Sequence, residues 1–182
     1  MKLQIPEWRK TDAIGFIKFW SDEYSYNLEH LYNNNIRQPL TEQRVWDLFK
    51  WKNGTEKIAK KKQQSIRTIY LPQLRQLPNL NDVNAGKTYL ATLQGGAIWG
   101  IFWLHCLRPD LFPMFDQHTY RAMARIKSLQ LSEIPDAREQ KIGIYFDHFI
   151  PFLHQFGQVN QRSLDKALFT YGRFWKWGFR GR

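Results

Sequence analysis

Apolar residues recur at helical spacing along nearly the whole chain. From Ile14 they run through Ile17, Phe19, Trp20, Tyr24, Leu28 and Leu31. That pattern predicts one helix, capped by Thr11 or Asp12 and ended at Asn33-Asn34-Asn35. After Pro39, Thr41 caps a second helix that buries Val45, Leu48 and Phe49 and stops at Lys52-Asn53-Gly54. A third is expected over about 55–69. The segment 72–81, with Pro72 and Pro78, reads as turns and as the crossing between two lobes. Further helices are expected over about 82–93, 97–107, 119–127, 138–156 and 163–177, with a kink at Pro151. The one strand signal, Thr68-Ile69-Tyr70-Leu71, is cut by Pro72. The expected fold is an all-α, bilobal bundle spanning the 182 residues as one domain.

Composition adds two things. Aromatic residues make up 16% of the chain, enough large rings for a sizeable core. The net charge is +11, and it is localised. Between Lys50 and Arg75 lie eight cations and one anion, and between Lys166 and Arg182 five cations and no anion. The rest of the chain is close to neutral. Two basic segments on a neutral body suit a polyanion, which makes nucleic acid the expected partner. The candidate contacts are Lys57, Lys60, Lys61, Lys62, Arg173, Lys176 and Arg180. The alternative is a solvated basic face, or one that meets an acidic protein.

No segment pairs a basic face with a clean apolar one, and the longest apolar run, 97–107, falls far short of the roughly 20 residues of a membrane span. No membrane partner is expected. The N-terminus carries no apolar leader. A lone cysteine, Cys106, excludes an internal disulfide framework and fits a reducing cytoplasm. A monomer without metal or cofactor is expected.

Most motif-like fragments carry no chemistry. Asn84-Ala85-Gly86-Lys87-Thr88 lacks the leading glycine and strand of a phosphate loop. His148 and His154 share no helix face. No Gly-x-Ser-x-Gly elbow occurs. Cys106 and His105 are adjacent, which is the wrong geometry for a thiol site and fits a buried core. Leu48–Gly54 and Leu164–Leu168 suggest no reaction either.

One stretch is more specific. A glycine turn, Leu93-Gln94-Gly95-Gly96, opens the apolar helix, a proline loop follows it, and then comes Phe115-Asp116-Gln117-His118-Thr119-Tyr120-Arg121. This resembles the helix-hairpin-helix superfamily of DNA glycosylases. There, a hairpin grips a DNA phosphate through backbone N–H groups, and a loop about twenty residues later delivers an aspartate in a Val-Asp-x-His-Val-x-Arg pattern. Asp116, His118 and Arg121 match that pattern, and Asp116 lies 20 positions after Gly96. The resemblance covers about 93–126. It implies duplex DNA with a flipped base as substrate, Asp116 as the catalytic carboxylate, and Gly95 and Gly96 against a phosphate. His118, Arg121 and Trp99 would flank the site. The family's Leu-Pro-Gly-x-Gly is absent, and apolar Ile98 and Trp99 stand where strand-cutting members carry a lysine. Base removal by water, without a Schiff base, is the implied activity. A non-catalytic nucleic-acid binder on the same scaffold is the competing expectation, and an interaction module for an acidic partner is a third.

Asp116 also sits where a helix N-cap belongs. Trp99 and Trp103, four apart, read as core. Arg121 and Arg125, also four apart, could face phosphate or solvent.

Overall fold

Side-chain caps set the starts of five helices in the computed structural model, which describes residues 11–129 and 133–178, among them the helix from Gln161, where Asn160 Oδ1 accepts from the Ser163 amide (2.9 Å). Asp12 accepts from the Gly15 amide (2.7 Å) to start α1, Ala13–Asp22. Helix α2 is Glu29–Asn35. Thr41 caps α3, Glu42–Asn53, which ends at Gly54 in the left-handed region (φ 75°). Asp82 caps α5, Val83–Thr92, and Asp116 caps α7, Gln117–Ile126. Between these last two lies α6, Ala97–Leu107, apolar on every face and buried along almost its whole length. A run Lys60–Ser65 forms α4. Arg138–Gly143 is α8, Ile150–His154 is α9 and Gln161–Gly178 is α10. The described residues contain no strand.

The expected first helix is in fact two. Tyr24 and Tyr26 both place their rings on Phe169, with centroids 5.7 and 5.9 Å away. Positions i and i+2 of one helix cannot face the same neighbour, so the chain breaks between Asp22 and Glu29. The third helix starts later than expected. The Lys57 amide instead donates to Thr55 Oγ1 (3.2 Å), a local turn that competes with helix.

Helical structure passes two prolines by widening. The π turn Ile66–Tyr70 leads through Leu71 to Pro72, and the π turn Ile144–Phe149 leads through Ile150 to Pro151. In each case the residue before proline donates five positions back, Leu71 to Ile66 and Ile150 to Tyr145. Proline lacks an amide and its ring crowds the carbonyl four residues earlier, so a wider turn relieves both problems. The expected kink at Pro151 is therefore a π turn. A 3₁₀ turn, Leu71–Arg75, opens the 72–81 segment, whose Leu80 carbonyl accepts from Arg108 Nη1 (2.7 Å).

Buried apolar side chains from Ile17 to Leu168 form one cluster, with Leu48, Phe49, Trp103, Phe112, Tyr145 and Phe149 among its fully covered members. Helix α10 lies against both α1 and α7. Glycine makes the α7 contact possible: a Cβ on Gly172 would collide with the His118 backbone carbonyl.

Candidate functional site

The loop from α6 to α7 is bolted into the core. Phe112, Met114 and Phe115 are buried. The Phe112 carbonyl accepts from His105 Nδ1 (2.7 Å), and the Pro113 carbonyl from the Tyr145 hydroxyl (2.9 Å). A carbonyl only accepts, so Nδ1 carries the ring proton and Nε2 accepts from the Tyr32 hydroxyl (2.8 Å). Both ring nitrogens of His105 are thus satisfied, and burial pushes its pKa down to about 3. Its neighbour Cys106 is buried and its thiol pKa is raised by that burial. The pair is core, as its adjacency implied.

This rigid loop delivers Asp116. One carboxylate oxygen, Oδ1, accepts from the His118 and Thr119 amides (2.8 and 3.1 Å), and Thr119 Oγ1 accepts from the Asp116 amide (2.9 Å), closing a capping box. The other oxygen accepts from Lys52 Nζ at 3.3 Å, and the same ammonium donates to the Phe115 carbonyl (3.3 Å). Lys52 is only 7% exposed, so it is fixed on the carboxylate. Burial by itself would raise the Asp116 pKa. Lys52 first, then His118 and the two cap amides, hold it below the ordinary carboxylate range.

Beside Asp116 is a cavity of about 30 Å³, lined by Tyr24, Tyr26, Trp51, Met114 and Phe169 and by the charged Lys52, Arg162 and Asp165. That is room for about one water. Arg162 dominates its far side. Its guanidinium donates to Glu29 (2.7 and 2.9 Å), to the Tyr24 hydroxyl (3.2 Å) and to Asp165, and stacks over Tyr32 at 4.4 Å. Glu29 also accepts from Tyr24, from Trp51 Nε1 (3.2 Å) and from Lys166 (3.2 Å). Two carboxylates and two cations, from α3, the α7 cap and α10, therefore line an aromatic pocket, with Glu29 and Lys166 paired behind Arg162. Their environments differ. Glu29 is held low by Arg162, Tyr24 and Lys166 against its own burial, whereas burial pushes Asp165 up to about 6 despite Arg162, with Asp116 adding to the rise. Among the described residues no group of three or more His, Cys, Asp or Glu side chains is placed to hold a metal ion.

The other expected site residues are spread around this centre. His118, at the first turn of α7, is half-buried edge-on to Phe169 (4.9 Å). Burial lowers its pKa, and Arg121, Lys176 and Arg173 lower it further against Asp116. Arg121 does not face solvent. It is 8% exposed and grips Glu133 through one nitrogen (2.7 and 2.8 Å). Arg125 lies over the Trp175 ring at 4.1 Å. Trp103 is core. Trp99 is partly buried, against Phe49 (4.9 Å) and under Lys62 (5.3 Å), and does not line the cavity. Gly95 takes φ 96° and its carbonyl accepts from Arg138. Gly96 caps α6 with open space where a Cβ would be.

Both basic segments reach elements that frame the cavity. Lys57, Lys60 and Lys61 are exposed. The Lys57 carbonyl accepts from Asn53 Nδ2 (3.4 Å), and Lys62 donates to Asn53 Oδ1 (2.8 Å), so this segment is knit to α3 one residue beyond Lys52. Arg173 and Lys176 are exposed on α10, close enough to shift His118. Arg180 lies outside the described residues.

Sequence reasoning missed Glu29, Lys52, Arg162, Asp165 and Lys166. The signal was faint: Trp51-Lys52 sits at the end of a buried helix, and Arg162, Asp165 and Lys166 share one helical face, i, i+3 and i+4. Leu48–Gly54 and Leu164–Leu168, which suggested no reaction, supply both sides of the cavity. No helix among the described residues is long and apolar enough to cross a membrane. Comparison with protein-family models, curated proteins and solved structures finds no match to this chain.

Proposed function

We propose that this protein binds duplex DNA and removes a base by hydrolysis of its N-glycosidic bond, with Asp116 as the catalytic carboxylate. One observation carries the reading. A carboxylate held ionised by Lys52 and two cap amides lines an aromatic pocket, and basic segments approach that pocket from α3 and α10.

Bond cleavage leaves the sugar cationic, and a fixed anion beside it is worth most at that moment. The base leaves the stack for a site lined by rings, and the cavity as it stands holds about one water. Lysines 57, 60, 61 and 62 with Arg173 and Lys176 hold phosphates. The uncapped amides at the α6 N-terminus, beside Gly95 and Gly96, add a neutral phosphate grip.

Wild-type protein is incubated with duplexes carrying different damaged bases, and alkali then reveals abasic sites. Excision by wild type, with Asp116→Asn slowed by orders of magnitude in single turnover and DNA affinity retained, supports the reading. Wild-type-like excision by Asp116→Asn overturns the residue's role. A specific observation favours a second reading, a binder that does not cut: both Asp116 oxygens are already engaged, one by the helix and one by Lys52. Salt-sensitive binding with no excision of any lesion selects it.

A further inference from the structure

Two carboxylates line the cavity, and the proposed hydrolysis has so far used one. Asp116 enters from the α7 cap and Asp165 from α10. Asp165 Oδ2 accepts from Arg162 Nη1, and Oδ1 has no donor among the described residues. Resting on the glycosylase reading above, we infer that Asp165 is a second catalytic residue, the general acid that protonates the departing base.

The step balances. The C1′–N bond breaks and its electron pair goes to the base nitrogen, while the Asp165 carboxyl proton moves to the base. Asp116 stays anionic beside the sugar cation. Water adds at C1′, and its released proton returns to the Asp165 carboxylate. A pair of carboxyls does both tasks when their surroundings drive their pKa values apart. Here Lys52 and the cap amides stabilise the anion at Asp116, while burial favours the protonated form of Asp165. The charged and titratable groups around Asp165 are Arg162 on its own helix, Lys52 from α3, Asp116 from α7, Tyr32 from α2, and Tyr24 and Tyr26 before α2, with Glu29 and Lys166 paired behind Arg162. The alternative is that Asp165 only holds Arg162 in place.

The test compares two leaving groups in single-turnover excision by the full chain. A neutral base needs a proton to leave. N7-methylguanine is already cationic in the duplex and leaves neutral without one. For wild type, neutral-base excision should fall about tenfold per pH unit above about 6, while N7-methylguanine excision stays level there. Asp165→Asn keeps the size and an oxygen for Arg162. It should slow neutral-base excision by about 100-fold or more, flatten its pH profile, and change N7-methylguanine excision less than about threefold.

A structural role would slow both substrates alike and leave the profile's shape intact, which overturns the inference. A wild-type profile that is level from pH 5 to 8 overturns it without any variant. So does excision confined to the cationic base. No excision of any base by wild type overturns the glycosylase reading itself, a different result from excision without an acid limb.

Discussion

Asp116 serves two masters, the α7 amides and the Lys52 ammonium. Asparagine can replace it at the cap but cannot neutralise a cation that is 7% exposed. The Asp116→Asn variant should therefore lose roughly 1–3 kcal/mol of stability, seen as a lowered Tm. A double-mutant cycle with Lys52→Gln isolates the pair's share, and a coupling near zero would show the ion pair to be idle. His105 makes a second prediction. Its folded pKa of about 3 lies below the unfolded 6.5, so between those values the unfolded chain binds a proton that the folded protein refuses. Stability should fall as pH drops from about 6.5 towards 3. Asp165 works the other way between about 6 and 3.8, because its folded pKa is raised. The His105 displacement is larger, and the lowered His118, Asp116 and Glu29 act with it, so the net loss by pH 4 should be on the order of 1 kcal/mol. Thermal melts from pH 7 to 4 measure it. His105→Gln, which can still bond Tyr32 and Phe112, should flatten the curve, and an unchanged slope would move the effect to other groups.

Between elements, the α7–α10 contact sets the site, because α7 brings Asp116 and α10 brings Arg162 and Asp165. Its closest point is Gly172 against the His118 carbonyl. Backbone cannot swing aside as a side chain does, so Gly172→Ala should push the helices apart and cost about 3 kcal/mol or more. Gly96→Ala, with φ −75° and nothing near its Cβ, should change stability by less than about 1 kcal/mol. Equal melting temperatures for the two variants would show that the contact yields more easily than its geometry implies. Helix ends at Asp12, Thr41, Gly54 and Asp82 were legible because capping is chemistry within a few residues. The break at 23–28 was not, because it answers to Phe169, far along the chain. The π turns were half legible: proline announces a disturbance, and the packed core decides that it is a widening.

Across the whole molecule, the proposed function predicts a DNA affinity that falls with salt, because the basic segments would displace counterions from phosphates. Each phosphate neutralised adds about 0.9 to the slope of log affinity against log salt. Replacing Lys60, Lys61 and Lys62 together by Glu should weaken binding and flatten that slope, and an unchanged slope returns these lysines to a solvated face. Borohydride should trap no covalent adduct with DNA. The amine nearest the pocket, Lys52, is engaged by Asp116 and the Phe115 carbonyl, and Lys87 is paired with Asp147 at 2.7 Å. An adduct that disappears in Lys52→Arg would overturn the purely hydrolytic scheme.

The amino-acid pattern by itself determined an all-helical chain, most of its caps, the burial of 97–107, the localisation of charge and the position of Asp116 before a helix. All of these follow from the spacing of neighbours along one segment. Tertiary structure decided what Asp116 meets. Lys52 is 64 residues away and Asp165 another 49 beyond Asp116, and neither is marked by local spacing as anything but a helical polar residue. Their ionisation, too, is set by burial and by each other, which exist only once α3, α7 and α10 have packed. Arg121 shows the same limit: its place on α7 was readable, but its hold on Glu133 is a tertiary contact.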